Sequence, residues 1–511
     1  MQVESMEIQL TNAIFREIYR IGNDGIIEFK NFIGGKWLFC DKFMDIKSPI
    51  DGSLIARVTV PKSETMNLAI NSAYQDGRKN IRNYPGQKRI KTFLTVAKLL
   101  EESKQDFVDV LIKTAGKPME NAMGEVNATI ERLDKTTMES TRLMGEYIPG
   151  DWSEETYETQ GIVKREPFGL ILTIGPFNYP LFIPATKIIP SILVGNAVFL
   201  KPASAAPIAP IMLTRLLEHS GLPIGSLTTL TIRGKDMDEL VQNRKFSAIS
   251  FTGSTEVGEA IIKMGGIKNY HMELGGKDSA IVLNDCNLER TVDKLFSGMV
   301  KYAGQRCDAI KLIFVESGIY ADLKAKLVKK LDNVKALNPL SDKEAIMGPL
   351  IDMKSADRIE QAYDDAIEKG ANLLTKYNRH ENYIDPLLLE VSAGNLPKLM
   401  AFQEEIFGPL TLLIKIETPT EGLNLSNLSR FGLDASIFSE NEGKIQKIAR
   451  SLEVGAVFIN EYPRHGIGYY PFGGVKDSGI GREGIGYSAF QLTTIKTIVH
   501  NFKGSGVWEY L

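Results

Sequence analysis

Apolar residues recur along this chain in two modes that alternate. Residues 64–80 and 87–103 carry them at helical spacing, and in the second segment Phe93, Val96, Ala97, Leu99 and Leu100 share one broad face, as an amphipathic helix requires. Residues 106–143 continue as charge-rich helical patterns. The character changes over 146–166, where Tyr147-Ile148-Pro149-Gly150 leads into alternating polar residues, the pattern of an extended hairpin. From 169 onward short apolar runs alternate with helical ones. Leu170-Ile171-Leu172-Thr173-Ile174, Ala197-Val198-Phe199-Leu200, Leu230-Thr231-Ile232 and Ala248-Ile249-Ser250-Phe251 predict strands. The run after Pro180 and residues 207–219 and 255–264 predict helices. Such alternation predicts parallel β-α-β units, with loops at the strand ends holding a ligand. A second alternating block runs from 279 to about 470. The β-branched stretch Thr494-Ile495-Lys496-Thr497-Ile498-Val499 lies outside both blocks. It is placed to pair with the 146–166 hairpin or with another subunit.

A chain of 511 residues exceeds one hydrophobic core, so two or three domains are expected. The hydrophobic fraction of 43% and charged fraction of 24% are those of a soluble globular protein. With 60 basic and 63 acidic residues the net charge is −3, which gives no electrostatic reason to expect nucleic acid or an anionic membrane as partner. No apolar run reaches the roughly 20 residues that cross a bilayer. The acidic start, Met1-Gln2-Val3-Glu4-Ser5-Met6-Glu7, lacks the apolar core of a secretion signal. The three cysteines, Cys40, Cys286 and Cys307, are too few and too far apart for a disulfide framework, so a reducing cytoplasm is expected. Cys40 reads as packed, and Cys286 as a loop residue beside a helix cap. The five histidines form no pair at metal-ligand spacing, and no metal site is expected.

Two short segments carry the candidate chemistry. Cys307 follows a Gly-Gln turn in Gly304-Gln305-Arg306-Cys307, and Glu273 precedes a Gly-Gly turn in Met272-Glu273-Leu274-Gly275-Gly276-Lys277. Aldehyde oxidation needs a thiolate that adds to the carbonyl and a carboxylate that activates water against the resulting thioester. The alternatives are a small buried cysteine and glycines that mark ordinary turns. For a phosphate loop, Gly479-Ile480-Gly481-Arg482-Glu483-Gly484 matches G-x-G-x-x-G but follows no buried strand. Phe251-Thr252-Gly253-Ser254-Thr255 does follow one and opens a helix. Its free N–H groups, Gly253 and Ser254 can therefore meet a pyrophosphate. The absence of a Walker lysine disfavours an ATPase.

Pro176-Phe177-Asn178-Tyr179-Pro180, Lys201-Pro202, the Phe-Thr-Gly-Ser segment, Glu273-Leu274-Gly275-Gly276-Lys277, Gly304-Gln305-Arg306-Cys307, Glu405-Ile406-Phe407-Gly408-Pro409 and Pro471-Phe472-Gly473-Gly474 occur in an order that resembles the aldehyde dehydrogenase superfamily along nearly the whole chain. The resemblance implies an α/β fold with a Rossmann-like cofactor domain (1–145 and 167–278), an α/β catalytic domain (279–485) and a β-hairpin oligomerisation flap (146–166 and 486–511) through which family members form dimers and tetramers. It implies Cys307 as nucleophile, the Asn178 amide and the Cys307 N–H as an oxyanion hole, and Glu273 as the base that hydrolyses the thioester to a free acid. It further implies cofactor contacts at Ile174, Phe177, Lys201, Ser204, Gly253, Ser254, Leu274, Glu405 and Phe407. Lys187 matches a lysine that family members keep near this machinery, although a helix-face lysine is usually solvated.

Family members that prefer NAD often carry a glutamate three residues after the lysine at Lys201. Here Ser204 stands there. A hydroxyl can donate to a 2′-phosphate that a carboxylate would repel, so NADP is expected, with NAD possible. The closest resemblance within the superfamily is to non-phosphorylating glyceraldehyde-3-phosphate dehydrogenases, through Asp278-Ser279-Ala280-Ile281-Val282, Cys307-Asp308-Ala309-Ile310-Lys311 and Thr493-Thr494-Ile495-Lys496. Arg306 suits an anionic substrate tail. The subfamily's second arginine place holds His465, with Arg464 one step before it. The candidate substrate residues are therefore Asn178, Arg306, Arg464 and His465, with Arg132 as a further source of charge. A carboxylate-bearing aldehyde such as succinate semialdehyde, or a broad range of aldehydes, is the alternative. An acylating, coenzyme A-dependent enzyme and a non-catalytic structural relative are the further rivals; Glu273 argues against the first and the intact Cys307, Glu273 and Asn178 against the second.

Overall fold

The computed structural model describes residues 6–140 and 145–509. Five parallel strands form the middle of an eight-stranded sheet, in the order Asn269–Glu273, Ala248–Thr252, Leu170–Ile174, Ala197–Lys201, Leu227–Thr229. The first strand in sequence, Leu170–Ile174, is central. Its successors run out to one side and the fourth and fifth to the other. This reversal opens a crevice at the carboxyl ends of Leu170–Ile174 and Ala248–Thr252, where ligands bind in open α/β sheets. Asn31–Ile33 and Lys36–Leu38 extend one edge, and the short strand Gly479–Ile480 closes the other antiparallel to Asn269–Glu273. All five central strands are buried except for the start of Asn269–Glu273, which accounts for their continuous apolar runs.

A second sheet runs Asn372–Leu373, Leu387–Val391, Leu410–Ile416, Ile310–Glu316, Asp278–Val282, Asp434–Phe438, Ala456–Ile459, parallel except for its first strand. The apolar core accordingly splits in two. One cluster draws on residues from Ile8 to Leu274 and the other on residues from Ala280 to Tyr462. The turn between Leu274 and Asp278 passes from one to the other. A third sheet pairs Glu146–Pro149, Thr159–Pro167 and Thr493–Asn501. The C-terminal strand thus finds its partner in the hairpin of its own chain, and Tyr147, Ile148, Ile162, Ile495 and Val499 stay exposed on it.

Several boundaries differ from the sequence pattern for local reasons. The strand expected at 230–232 is Leu227–Thr229; the buried Thr231 N–H is satisfied by the Asn31 side chain instead of a ladder partner. The helix over 64–80 contains a π-helical stretch, Ala73–Gly77, where Gly77 lies against the Gly225 carbonyl so closely that any Cβ would collide with it. The 106–143 pattern resolves into Lys104–Ala115, Met119–Asp134 and Thr136–Ser140, broken at the left-handed Gly116 and at Pro118; positions 141–143 lie outside the described residues, as do residues 1–5 of the N-terminal reading and residues 510–511. The small N-terminal sheet built on Ile27–Phe29 and Leu54–Val60 has no counterpart in the sequence reading. Among the described residues no helix is long and apolar enough to cross a membrane.

Candidate active site

The loop that carries Cys307 is held in an unfavourable backbone shape. Tyr302 and Ala303 have φ of 52° and Gly304 has 66°, and left-handed non-glycine residues cost on the order of 1–3 kcal/mol each. Three anchors hold them. The buried Tyr302 donates its hydroxyl to Ala115 O at 2.7 Å. Lys311 Nζ donates to Gly304 O at 2.9 Å and also to Gly408 O. Gln305 donates to Pro349 O at 3.2 Å and accepts from Ile351 N at 2.9 Å. The Gly-Gly turn after Glu273 has an equally local cause. A Cβ on Gly276 would strike the Cys307 carbonyl, and one on Gly275 would lie 2.7 Å from a Glu405 oxygen. The two motifs are therefore packed backbone to backbone.

Asn178 is buried beside this loop and its amide donates to Gln305 O at 3.0 Å. Glu273 ends the strand Asn269–Glu273 and is 1% exposed, and neither carboxyl oxygen has a hydrogen-bond partner among the described residues. Burial, reinforced by the Glu483 charge, pushes its carboxyl well above the usual range, against the opposing pull of Lys187 and Arg482. Cys307 is half-buried. Desolvation, with Asp308, Glu405, Asp278 and Asp434 adding to it, pushes the thiol well up. Burial thus favours the protonated form of both the candidate nucleophile and the candidate base.

The expectation that Lys187 is solvated is overturned. Lys187 is fully buried and pairs with Glu483 at 2.6 Å. That carboxylate belongs to the Gly479–Gly484 stretch, whose first two residues form the edge strand and whose Glu483 anchors the ion pair. Arg132 is also buried, paired to Glu139, with Nε and Nη1 unpartnered among the described residues. It lines, with Arg306, Cys307, Tyr179, Arg464 and His465, a cavity of about 970 Å³. Arg306 spends Nε on Asp308 and Nη2 on Pro463 O, both at 3.0 Å, and leaves Nη1 buried and unpartnered among the described residues. Arg464 is mostly exposed and bridges to Glu461 at 2.9 Å. His465 Nε2 meets Asp434 at 2.7 Å while Nδ1 is unpartnered. Burial opposes charge on this imidazole, but the Asp434 hydrogen bond and charge outweigh it and raise its pKa.

The cofactor candidates gather at the crevice. Ile174 and Lys201 end adjacent strands in register. Ser254 caps the helix Thr255–Gly265, accepting from Val257 N at 3.4 Å. Leu274 packs against Gly258, where a Cβ would overlap it. From the other half, Phe407 meets Phe177 edge to face at 5.8 Å and Glu405 accepts from Gly276 N at 3.0 Å. Ser204 is half-buried beside Lys201 and its hydroxyl donates to Ile232 O at 3.3 Å, a long bond that a rotating hydroxyl can exchange for another acceptor. Lys201 is buried, its pKa pulled down to about 8 by desolvation, and no ion pair engages it among the described residues.

The profile of the aldehyde dehydrogenase family matches residues 38–498. The chain belongs to that family. It is 34% identical over 478 residues to a lactaldehyde dehydrogenase of Methanococcus aeolicus, covering 92% of this chain and 100% of the relative. It is 35% identical over 474 residues to an NADP-dependent glyceraldehyde-3-phosphate dehydrogenase of Streptococcus equinus, covering 92% and 98%. The crystal structure of the NADP-dependent glyceraldehyde-3-phosphate dehydrogenase of Bacillus halodurans C-125 complexed with NADP superposes with a TM-score of 0.88 at 35% identity, over 92% of this chain and 99% of that one.

This aldehyde dehydrogenase also buries residues that sequence reasoning passed over. Glu125 accepts from Leu181 N and Phe182 N at 2.9 and 3.0 Å and so fixes the turn that presents Asn178. Lys117 pairs with Glu125 at 2.6 Å under the Tyr179 ring, 3.8 Å from its centroid. Asp278 accepts from Asp434 N at 3.1 Å behind Cys307. For Glu125 the signal in the sequence was a charged residue on the buried face of the helix Met119–Asp134; Lys117, in the loop before it, and Asp278, at the start of a strand, gave none. The raised thiol makes one expectation direct. Iodoacetamide labelling of Cys307 in the resting enzyme should follow a midpoint above the ordinary cysteine value of about 8.5. A midpoint below about 7, as for an activated thiolate, would contradict it.

Proposed function

We propose that this aldehyde dehydrogenase oxidises glyceraldehyde 3-phosphate to the free acid with NADP as the oxidant. The observation that carries the substrate is Arg306: a buried guanidinium next to Cys307, with Nη1 unpartnered, on a cavity that it shares with His465 and Arg132. A phosphate needs several aimed donors to leave water at acceptable cost. Cys307, once deprotonated, adds to the carbonyl carbon. The carbonyl oxygen becomes an alkoxide beside the Asn178 amide and the Cys307 N–H, which stabilise it as fixed dipoles. NADP, when bound, takes the hydride that leaves the former carbonyl carbon. Glu273, deprotonated, then removes a proton from water as that water attacks the thioester, and the acid and the free Cys307 thiol result.

The residues at the crevice suit NADP. A capped helix start at Ser254 offers its first N–H groups to a pyrophosphate, and Lys201, without an ion-pair partner among the described residues, suits a 2′-phosphate. Phe177, Phe407, Glu405, Ile174, Gly253 and Leu274 would hold the remaining parts. We read residues 1–145 and 167–278 as the cofactor domain, 279–485 as the catalytic domain, and 146–166 with 486–511 as the flap through which copies associate, supported by the exposed apolar residues there. A Ser204→Glu variant should raise KM for NADP at least about tenfold more than KM for NAD, by charge repulsion; equal responses would place Ser204 away from the ribose.

A second reading is favoured by one feature: Asp308 and Glu461 partly neutralise Arg306 and Arg464, which suits a smaller hydroxyaldehyde such as lactaldehyde. Wild-type kcat/KM on glyceraldehyde 3-phosphate and on glyceraldehyde decides. The phosphorylated aldehyde should win by more than about tenfold, equivalent to about 1.4 kcal/mol. Arg306→Ala should erase most of that advantage while barely changing the neutral aldehyde. Equal efficiencies in the wild type would transfer the assignment to the hydroxyaldehyde or broad reading.

A further inference from the structure

His271 is two residues before Glu273 on the same strand, so the two side chains project to the same face of the sheet. Their atoms meet inside it: His271 Nε2 lies 3.2 Å from Glu273 Oε1, and the residues are 3% and 1% exposed. On the neighbouring strand Ser250 stands directly opposite His271 in register, and its hydroxyl lies 3.2 Å from Nδ1. The imidazole is thus held at Nδ1 and faces the carboxyl with Nε2. A Cβ on Gly481, the residue after the edge strand, would lie 2.8 Å from its Cδ2, so that backbone packs closely against the ring. The Nε2–Oε1 approach lies off the hydrogen-bond axis, and neither atom has another partner among the described residues. Two buried polar atoms left this way are costly unless a proton between them brings them into line.

We propose that His271 is a positioning residue for Glu273, storing the general base as a neutral acid whose proton is shared with Nε2, and releasing it as the acyl-enzyme is hydrolysed. The inference rests on the thioester reading given above. With Nδ1–H donating to Ser250, the neutral ring turns its Nε2 lone pair toward the carboxyl. The charge balance agrees. Burial, and then Lys187, hold the imidazole down to about 4, while burial and Glu483 push the Glu273 carboxyl well up, which favours the proton on the Glu273 side of the contact. The charged groups around the pair are Glu483 and Arg482 from the edge strand and the segment after it, Lys187 from the helix Phe182–Val194, and Asp434 from the second sheet. Because the lone pair stabilises the protonated carboxyl, its removal should lower the pKa of Glu273 and make the base available at lower pH.

The test uses p-nitrophenyl acetate, which acylates a reactive cysteine with release of p-nitrophenolate and requires no cofactor. Loss of the acetyl group from the intact protein mass, followed against pH, reads hydrolysis alone. In the wild type hydrolysis should rise with pH through a single limb. In His271→Phe, which keeps a ring but removes the acceptor, the midpoint should fall by about one unit, so that hydrolysis well below the midpoint becomes about tenfold faster. His271→Gln, which keeps an acceptor, should stay near the wild-type midpoint. Ser250→Ala, which only frees the ring's tautomer, should shift the midpoint the same way by less, and it decides the matter if His271→Phe does not fold. A midpoint that is unmoved or raised in these variants overturns the proposal. Failure of the wild type to form an acetyl-enzyme at Cys307 overturns the thioester reading itself.

Discussion

A Cys307→Ala enzyme should oxidise no aldehyde above about one ten-thousandth of the wild-type rate, because the site then holds no nucleophile to form the covalent intermediate. NADP binding, followed by protein fluorescence, should be nearly unchanged, since the crevice residues lie on other strand ends. Glu273→Gln should separate the two halves of the reaction. Acylation of Cys307 needs no hydrolytic water, so NADPH should appear in a burst of about one per site and then stall as the thioester persists. Mass spectrometry of the stalled enzyme should find the acyl group on Cys307. Turnover by Cys307→Ala, or steady turnover by Glu273→Gln without accumulated thioester, would remove the residue concerned from its assigned role.

Replacing Lys187 with methionine should destabilise the protein by about 3–5 kcal/mol, the usual cost of leaving one partner of a buried ion pair uncompensated. The basis is the 2.6 Å contact with Glu483 at two side chains that are 0% and 10% exposed. The Lys187→Met/Glu483→Gln double variant should regain most of the loss, because the lone buried charge is then gone. Denaturant unfolding of the four proteins forms the double-mutant cycle. A single variant within about 1 kcal/mol of wild type would mean that the pair is open to water in solution.

These two predictions draw on different kinds of information. Cys307, Glu273 and Asn178 stand in short contiguous motifs whose glycines have local work to do, and the collision that a Cβ on Gly276 would make with Cys307 explains why that turn is legible from residue types. Lys187 was misjudged because a lysine on a helix reads as solvated until the element packed against it is known. Glu483, its partner, is 296 residues away. Arg132, read as a further source of charge, is buried on the cavity wall, a placement that likewise depends on packing. The acceptor that the Ser204 hydroxyl finds, Ile232 O, lies 28 residues on and was not legible in the segment around it. The strand expected at 230–232 failed because the Asn31 side chain, from a distant hairpin, takes the hydrogen bond that a ladder would have taken.

The sequence by itself determined the alternation of strands and helices, the family, and the residues whose chemistry needs a particular neighbour in the chain. Period and motif are properties of contiguous segments, so they survive without knowledge of the fold. Only the tertiary structure decided which charges are buried, which arginine nitrogens remain free on the cavity, and that His271 and Ser250 stand behind Glu273. Those facts depend on strand register and on the packing of segments hundreds of residues apart. Desolvation, which pushes the Cys307 thiol and the Glu273 carboxyl up, arises only once that packing excludes water.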